Sequence, residues 1–500
     1  MQQVVLIICD GWGYREDPKD NAIAAAKKPN YDSLWKNYPH AILKASGEDI
    51  GLPDKQMGTS EANHLIIGSG RILYQNLLRI NHAVTDGSLE KNQVLQQVFS
   101  HVIKNKSALH LIGMISPGGV HNHSGHLKAI VKYAKTAGVN KIYFHLLTDG
   151  RDTLPKSALG YLKDFDSFLK QEKIGWIASI GGRYFGMDRD NNLDRTKKHF
   201  ETIVKGEGER LKNSTDLIDS SYQNNLTDEF IVPALIEDEN NQIHTVQPND
   251  AVVFTNFRSD RAKQLTKMFL QENIPGLFFV TMTKYANDID CPVIFSPLST
   301  KNTLSEVLSR NNIKQLRVTE TEKFTHLTFF FNAQRYEPDP GEDRIMIPSN
   351  RDIKTHDQKP EMKALEIADK VVEAIQNKSH DFICCNLVNA DMVGHSGNFL
   401  AIVKAIETVD QAFGKIIEAA KKTGATVMIT ADHGNAEETI DEVTGMPKTS
   451  HTLNPVPFVL ISQEYKTLTK KEGSLSDIAP TILKLFNLPI PSEMTGQSLI

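Results

Sequence analysis

Five hundred residues, 40% hydrophobic and 23% charged, describe a globular chain of about two to four domains with ample material for a core. Basic residues number 56 against 61 acidic ones, a net charge of −5, which excludes a general nucleic-acid binder. Four cysteines without a Cys-x-x-Cys pair exclude a disulfide framework and a thiolate zinc site, and no apolar run reaches the roughly 18 residues of a membrane span; a reducing, cytoplasmic setting is expected.

Short apolar runs alternate with longer segments of helical spacing, the pattern of βαβ units and parallel sheets. The first run, Val4–Cys9, has no basic residue before it and leads into Asp10, unlike a secretion signal. It reads as a buried strand ending in a carboxylate, with Gly11 and Gly13 permitting a tight turn behind it. Alone, Asp10 is better explained as a turn or helix-cap residue than as a ligand, by roughly two to one. Next, Gly58-Thr59-Ser60-Glu61-Ala62-Asn63-His64-Leu65 reads as a loop entering a helix. Ser60 is then either the helix cap or, beside metal ions, a nucleophile of lowered pKa. No Gly-x-Ser-x-Gly elbow occurs there, so a Ser-His-Asp hydrolase is not the natural alternative.

Further strands are predicted at Ala108–Gly113, Lys141–Leu147, Ile174–Ile180, Ala251–Phe254 and Leu277–Met282, and helices over Leu127–Ala137, Leu159–Gln171 and Arg261–Leu270. Four of these strands are followed by polar clusters: Gly118-Gly119-Val120-His121-Asn122-His123, Asp149-Gly150-Arg151-Asp152, Gly182-Arg183-Tyr184 with Met187-Asp188-Arg189-Asp190, and Asn256-Phe257-Arg258-Ser259-Asp260-Arg261. A single arginine is usually a surface residue. Arginines delivered repeatedly at strand ends suggest a cationic pocket for a small anion carrying phosphate and carboxylate. No Walker loop and no Gly-x-Gly-x-x-Gly after a strand points to a nucleotide. The polar stretch Tyr222–Gln247 is expected to form surface excursions rather than core.

The last third predicts strands at Gln315–Thr319, Phe382–Val388, Ala425–Thr430 and Val456–Ile461, with helices over Met362–Gln376 and Ile402–Lys421. Asp391 and His395 follow one strand and, four apart, share a face of a helical turn. Asp432-His433-Gly434 follows another, and His451 precedes Asn454-Pro455. With Asp10 these supply three carboxylates and three imidazoles, a set suited to two divalent ions and too carboxylate-rich for a structural zinc.

These motifs, in this order, resemble the cofactor-independent (2,3-bisphosphoglycerate-independent) phosphoglycerate mutases of the alkaline-phosphatase-like superfamily. The resemblance rests on Cys9-Asp10-Gly11-Trp12-Gly13, Gln56-Met57-Gly58-Thr59-Ser60-Glu61, the four polar clusters after the middle strands, Glu320-Thr321-Glu322-Lys323, Gly341-Glu342-Asp343-Arg344, Pro360-Glu361-Met362, Asp391-Met392-Val393-Gly394-His395 and Ala431-Asp432-His433-Gly434-Asn435-Ala436-Glu437. It implies an α/β fold in which residues 1–75 and 298–500 form an alkaline-phosphatase-like metal domain. Residues 76–297 are then an inserted α/β substrate-binding domain. One divalent ion, usually manganese, is implied at Asp391, His395 and His451, the other at Asp10, Ser60, Asp432 and His433. Magnesium, cobalt and zinc are also compatible with such ligands. Ser60 is then transiently phosphorylated, Lys323 adds positive charge, and Asp152 is the candidate acid and base. His121, Arg151, Asp152, Arg183, Arg189, Arg258, Arg261 and Lys323 would surround the substrate.

The implied reaction is interconversion of 3-phosphoglycerate and 2-phosphoglycerate, without bisphosphoglycerate, by a cytoplasmic monomer with no nucleic-acid or membrane partner. A metal-dependent phosphatase or phosphodiesterase, or a phosphopentomutase, is the alternative on the same fold. From another class, a non-catalytic metal- or anion-binding protein would need no activated serine. The chain departs from the family's usual pattern at Thr59 (Asn is usual), Ala62-Asn63 (Val-Gly), Ala333-Gln334 (Gly-Gly) and His356 (Tyr).

Overall fold

The computed structural model describes residues 3–500. The chain divides into two compact units, one made of the chain up to Tyr74 together with Ser299–Ile500, the other of Gln75–Leu298. Each is an α/β body built on an eight-stranded sheet.

In the first unit the strands run in the order Glu342–Ile347, Gln315–Glu320, Phe382–Leu387, Val4–Cys9, Thr426–Thr430, Val456–Ile461, His40–Lys44, Glu472–Ser474. Val4–Cys9 is parallel to Phe382–Leu387 on one side and to Thr426–Thr430 on the other. All six of its residues are buried, as expected of a parallel strand with both faces covered. Three segments distant in sequence thus lie side by side. Asp10, the helix Asn389–Gly394 and Asp432 follow their carboxyl ends, where α/β sheets collect ligands. Beyond Thr426–Thr430 the sheet turns antiparallel through Val456–Ile461 and His40–Lys44.

The helix Phe399–Thr423 carries the chain from His395 to the strand Thr426–Thr430. Asn398 caps it by accepting from the Ala401 amide, and Gly424 closes it in the left-handed conformation. Ile402, Ile406, Val409, Phe413, Ile416 and Ala420 form its buried stripe, which packs on the helix Ala364–Asn377. Each such fully buried aliphatic side chain contributes roughly 1.5–3 kcal/mol, so this pair anchors the edge that carries Asp391 and His395.

The second unit orders its strands Val293–Phe295, Phe278–Thr283, Ala251–Phe254, Leu109–Met114, Ile142–Thr148, Trp176–Gly182, Ala234–Ile236, Glu209–Leu211. Only Ala234–Ile236 against Trp176–Gly182 is antiparallel.

All ten runs read as strands are strands, to within two residues at either end. The expectation for Tyr222–Gln247 is corrected. Ala234–Ile236 is a buried member of the sheet. Asp228 is also buried and accepts from the amides of Ser157 and Ala158 at the start of the helix Ala158–Glu172. Its carboxylate satisfies helix-terminal donors, a long-range role that a polar composition hides.

Candidate functional site

The side chains at the carboxyl edge of the first unit's sheet converge on Ser60. Thr59, not Ser60, caps the helix Ser60–Ser69: the Thr59 hydroxyl accepts from the Ala62 amide. The Ser60 hydroxyl is therefore free of capping. It lies 2.6 Å from Lys323 Nζ, 2.9 Å from His433 Nε2 and 3.3 Å from Asp10 Oδ1. The Lys323 ammonium also donates to Asp10 Oδ1 at 2.8 Å and Asp391 Oδ2 at 2.7 Å. Gly11 is required behind Asp10: its φ is +76°, and a Cβ there would lie 2.6 Å from the Asp391 backbone. His395 and His451 each place Nε2 3.1 Å from Asp391 Oδ1.

Three groups of side chains gather ligand atoms within 4.8 Å of one another: Asp391 with His395 and His451, Asp10 with Asp391 and His433, and Asp10 with His64 and Asp432. The histidine tautomers fit a cation. Nδ1 of His395 faces the Thr449 carbonyl at 2.6 Å, and Nδ1 of His451 faces the Gly58 carbonyl at 2.8 Å. Each Nδ1 must therefore carry hydrogen, so Nε2 points inward at Asp391. It holds a proton when no cation is bound and can offer a lone pair to a cation that displaces it, the arrangement that orients metal-binding imidazoles. Asp432 Oδ2, fully buried, accepts no well-formed hydrogen bond among the described residues, the nearest nitrogens being His64 Nδ1 and His433 Nε2, both at 3.4 Å. Buried anionic oxygens without partners are costly, and a divalent cation supplies what this set lacks.

The electrostatics follow from four charged groups in a dry space. Burial, reinforced by Asp432, pushes the Asp10 carboxyl up despite Lys323. Burial would raise Asp391 too, but Lys323, His395 and His451 hold it well below the usual carboxylate range. Burial works against a charged Lys323, yet Asp10, Asp391 and Asp432 hold it firmly protonated. Burial also opposes a charged His451, but Asp391 raises it to about 9.

In the second unit the carboxyl ends of the strands gather a cationic cluster. Arg183 is almost fully buried and bonds Asp149 Oδ1 and Asp152 Oδ2, both at 2.6 Å. His121 sits between Asp152 at 3.8 Å and Asp260 at 3.6 Å. Arg189 and Arg258 meet the same Asp260 at 3.3 and 3.1 Å, and Arg261 donates to the Met187 carbonyl at 3.1 Å. Arg151 turns to Glu229 at 3.2 Å. Burial and the neighbouring Arg183, Arg189 and Arg151 all lower Arg261, the mark of guanidiniums crowded together. Burial, then Arg183, pushes His121 down to about 4, so its imidazole is neutral at physiological pH.

The comparisons with known proteins agree with this geometry. The Metalloenzyme superfamily model matches residues 2–490. A 2,3-bisphosphoglycerate-independent phosphoglycerate mutase from Clostridium botulinum (strain ATCC 19397 / Type A) is 46% identical over 99% of both chains. One from Methanosarcina acetivorans is 47% identical, covering 99% of this chain and 98% of its own. The chain belongs to the 2,3-bisphosphoglycerate-independent phosphoglycerate mutases. Among solved structures, Leishmania mexicana phosphoglycerate mutase, crystallised at low cobalt concentration, superposes with a TM-score of 0.53 at 27% identity, covering 100% of this chain and 97% of that one.

Membership of a phosphoglycerate mutase family within a metalloenzyme superfamily, together with the ligand cluster, makes this a divalent-metal-binding enzyme. No helix among the described residues is long and apolar enough to cross a membrane. Three residues of the first unit's cluster escaped sequence reasoning. His64, one helical turn after Ser60, and Asn386 are fully buried beside Asp10. Glu437 is fully buried and accepts from the amides of Gly13 and Asn435, the Thr452 hydroxyl and the Asn454 amide group. It ties together the loops carrying Asp10, His433 and His451. Asn386 had a legible signal, an amide inside the apolar run Phe382–Leu387; Glu437 stood only as the end of the Ala431–Glu437 motif, with no role marked.

Proposed function

We propose that this enzyme interconverts 3-phosphoglycerate and 2-phosphoglycerate through a phosphoserine at Ser60, in glycolysis and gluconeogenesis, as a cytoplasmic monomer. Two divalent ions, manganese by preference, would be held by Asp391, His395 and His451 and by Asp10, Ser60, Asp432 and His433. Ions so placed lower the pKa of a bound hydroxyl and offset charge on phosphoryl oxygens. The observation that carries this reading is the uncapped Ser60 hydroxyl at the focus of Lys323, His433 and Asp10.

The chain's own groups divide the work. Ser60 Oγ takes the phosphoryl group from one substrate oxygen and returns it to the other. Lys323 Nζ, already 2.6 Å from that oxygen, stabilises negative charge on it and on the transferring group. Asp152 is the candidate to protonate the glycerate oxygen that loses phosphate and to accept the proton of the hydroxyl that receives it. Its bond to Arg183 keeps the carboxylate aimed. The half-exposed forks of Arg151, Arg189 and Arg258 suit the substrate's carboxylate and phosphate.

A phosphatase of the same superfamily would share the Ser60 cluster but has no need of the arginine set. The test is conversion of 3-phosphoglycerate to 2-phosphoglycerate without added bisphosphoglycerate, in wild type and Ser60→Ala. Wild type should turn over with little free phosphate released, and Ser60→Ala should lose activity by roughly 10³-fold or more while keeping its circular dichroism. Substantial mutase activity in the variant would end the covalent route; net phosphate release by wild type would favour the phosphatase.

A further inference from the structure

Asn386 stands in the strand Phe382–Leu387, opposite Ile8 in the parallel pairing with Val4–Cys9, and is completely buried. Its Nδ2 lies 2.9 Å from Asp10 Oδ2 and 3.0 Å from His64 Nε2. Only the amide nitrogen can face a carboxylate oxygen, so the orientation of this carboxamide is fixed. One hydrogen goes to Asp10 and the other to His64, whose Nε2 is therefore an acceptor. The remaining ring hydrogen sits on Nδ1, 2.9 Å from the Ser60 carbonyl and 3.4 Å from Asp432 Oδ2. Asp10 Oδ2, Asn386, His64 and the Ser60 backbone thus form one directional chain.

His64 lies as near to Asp10 and Asp432 as a ligand would. It differs from His395 and His451, whose Nε2 atoms face the Asp391 carboxylate, in having Nε2 occupied by the Asn386 amide. With no lone pair to offer, it positions other groups. Anchoring Oδ2 of Asp10 leaves Oδ1 to face Lys323, Ser60 and His433. A carboxylate torsion is otherwise broad and two-fold.

We propose that Asn386 and His64 are a positioning pair that fixes the Asp10 carboxylate against the first turn of the Ser60 helix, and thereby set the affinity of the Asp10, Asp432 and His433 group for a divalent cation. The inference rests on the reading that this group holds one of two ions. Loss of partners that orient ligands typically costs about 10–100-fold in metal affinity.

The test is Mn²⁺ binding to the chelator-stripped full-length protein, followed by electron paramagnetic resonance. Wild type should take up two ions. Asn386→Leu and His64→Leu should each weaken one ion by about 10–100-fold and leave the other at wild-type affinity. His64→Gln, whose carbonyl can replace Nε2 as the acceptor for Asn386, should bind closer to wild type than His64→Asn, which lacks that reach. If the leucine variants fail to fold, the Gln and Asn pair decides. Two ions of unchanged affinity in the folded variants, or equal loss in Gln and Asn, would overturn the pair alone. Uptake of fewer than two ions by wild type would overturn the two-ion reading and the pair with it.

Discussion

Lys323 holds three buried carboxylates in one small space when no cation is bound. It contacts Asp10 and Asp391 directly, and Asp432 adds to the charge that keeps it protonated. Replacing it with methionine, of similar length and no charge, leaves those anions uncompensated. Breaking a buried charge pair on one side typically costs about 3–5 kcal/mol. We therefore expect Lys323→Met to unfold at markedly lower denaturant when metal is chelated, and to recover most of the deficit at saturating Mn²⁺. Equilibrium urea unfolding with and without metal would measure this. A deficit of the same size in both conditions would mean that Lys323 acts through packing rather than through charge.

Between residue and fold, the segment around Ala333–Gln334 shows local geometry at odds with its sequence. A π-helical turn, His326–Phe330, packs against the Ser60 helix so closely that a Cβ at Gly68 would lie 1.9 Å from the Phe331 carbonyl. The chain leaves that turn through two consecutive left-handed residues, Ala333 at φ +53° and Gln334 at φ +65°. Left-handed backbone costs a residue with a Cβ roughly 1–2 kcal/mol, more than the roughly 0.5–1 kcal/mol of added chain freedom that glycine brings to the unfolded state. Gln334 is exposed, so Gln334→Gly should raise stability by up to about 1 kcal/mol without disturbing packing, read as a higher thermal midpoint. A lower midpoint would show that the left-handed turn is not strained.

The same scale shows what sequence could and could not reveal. Runs such as Val4–Cys9 and Ala251–Phe254 announce themselves because both faces are buried and nearly every residue is apolar. The strands His40–Lys44 and Glu342–Ile347 do not, because part of each is exposed and their side chains are mixed. At the site, Asp10, Asp391, His395, Asp432 and His433 stood out by their positions after strands, and His451 by its place shortly before one. Glu437 ties loops distant in sequence, and His64 meets Asn386 of a distant strand, contacts that no local pattern encodes. Thr59 shows how one residue resolves an ambiguity: by capping the helix it removes the bland explanation for Ser60.

For the whole molecule, the buried histidines of the second unit and His451 of the first are of opposite linkage, while burial lowers His326 of the first unit to about 4. In the second unit, burial pushes His126 down to about 3 and His199 to about 4, and lowers His145 strongly. Both ring nitrogens of His199 are without partners. Such groups favour the folded state only while neutral, so their contribution is complete above about pH 6.5 and is lost as pH falls toward 4. His451 in the first unit is raised to about 9, with burial opposing and Asp391 driving the shift. In the metal-free protein its contribution is complete below about pH 6.5 and is lost as pH rises through 9. Hydrogen exchange resolved by segment, corrected for intrinsic rates, should show Gln75–Leu298 loosening first on acidification of the metal-free protein. The metal-free first unit should lose protection toward pH 9. Uniform loss across both units at either extreme would defeat this assignment.

The position of Val4–Cys9 in its sheet also fixes an order of events during synthesis. Its partners on either side are Phe382–Leu387 and Thr426–Thr430, so an entirely apolar strand emerges from the ribosome long before either neighbour exists. At about 5–20 residues per second the wait is roughly 20–80 s. Throughout that interval the strand presents unpaired edges, while Gln75–Leu298, whose sheet draws only on its own segments, can fold to completion. Nascent chains stalled between the two units would be the species that calls for a chaperone, and Asp10 would be the first side chain of the Ser60 cluster made and among the last to find its place.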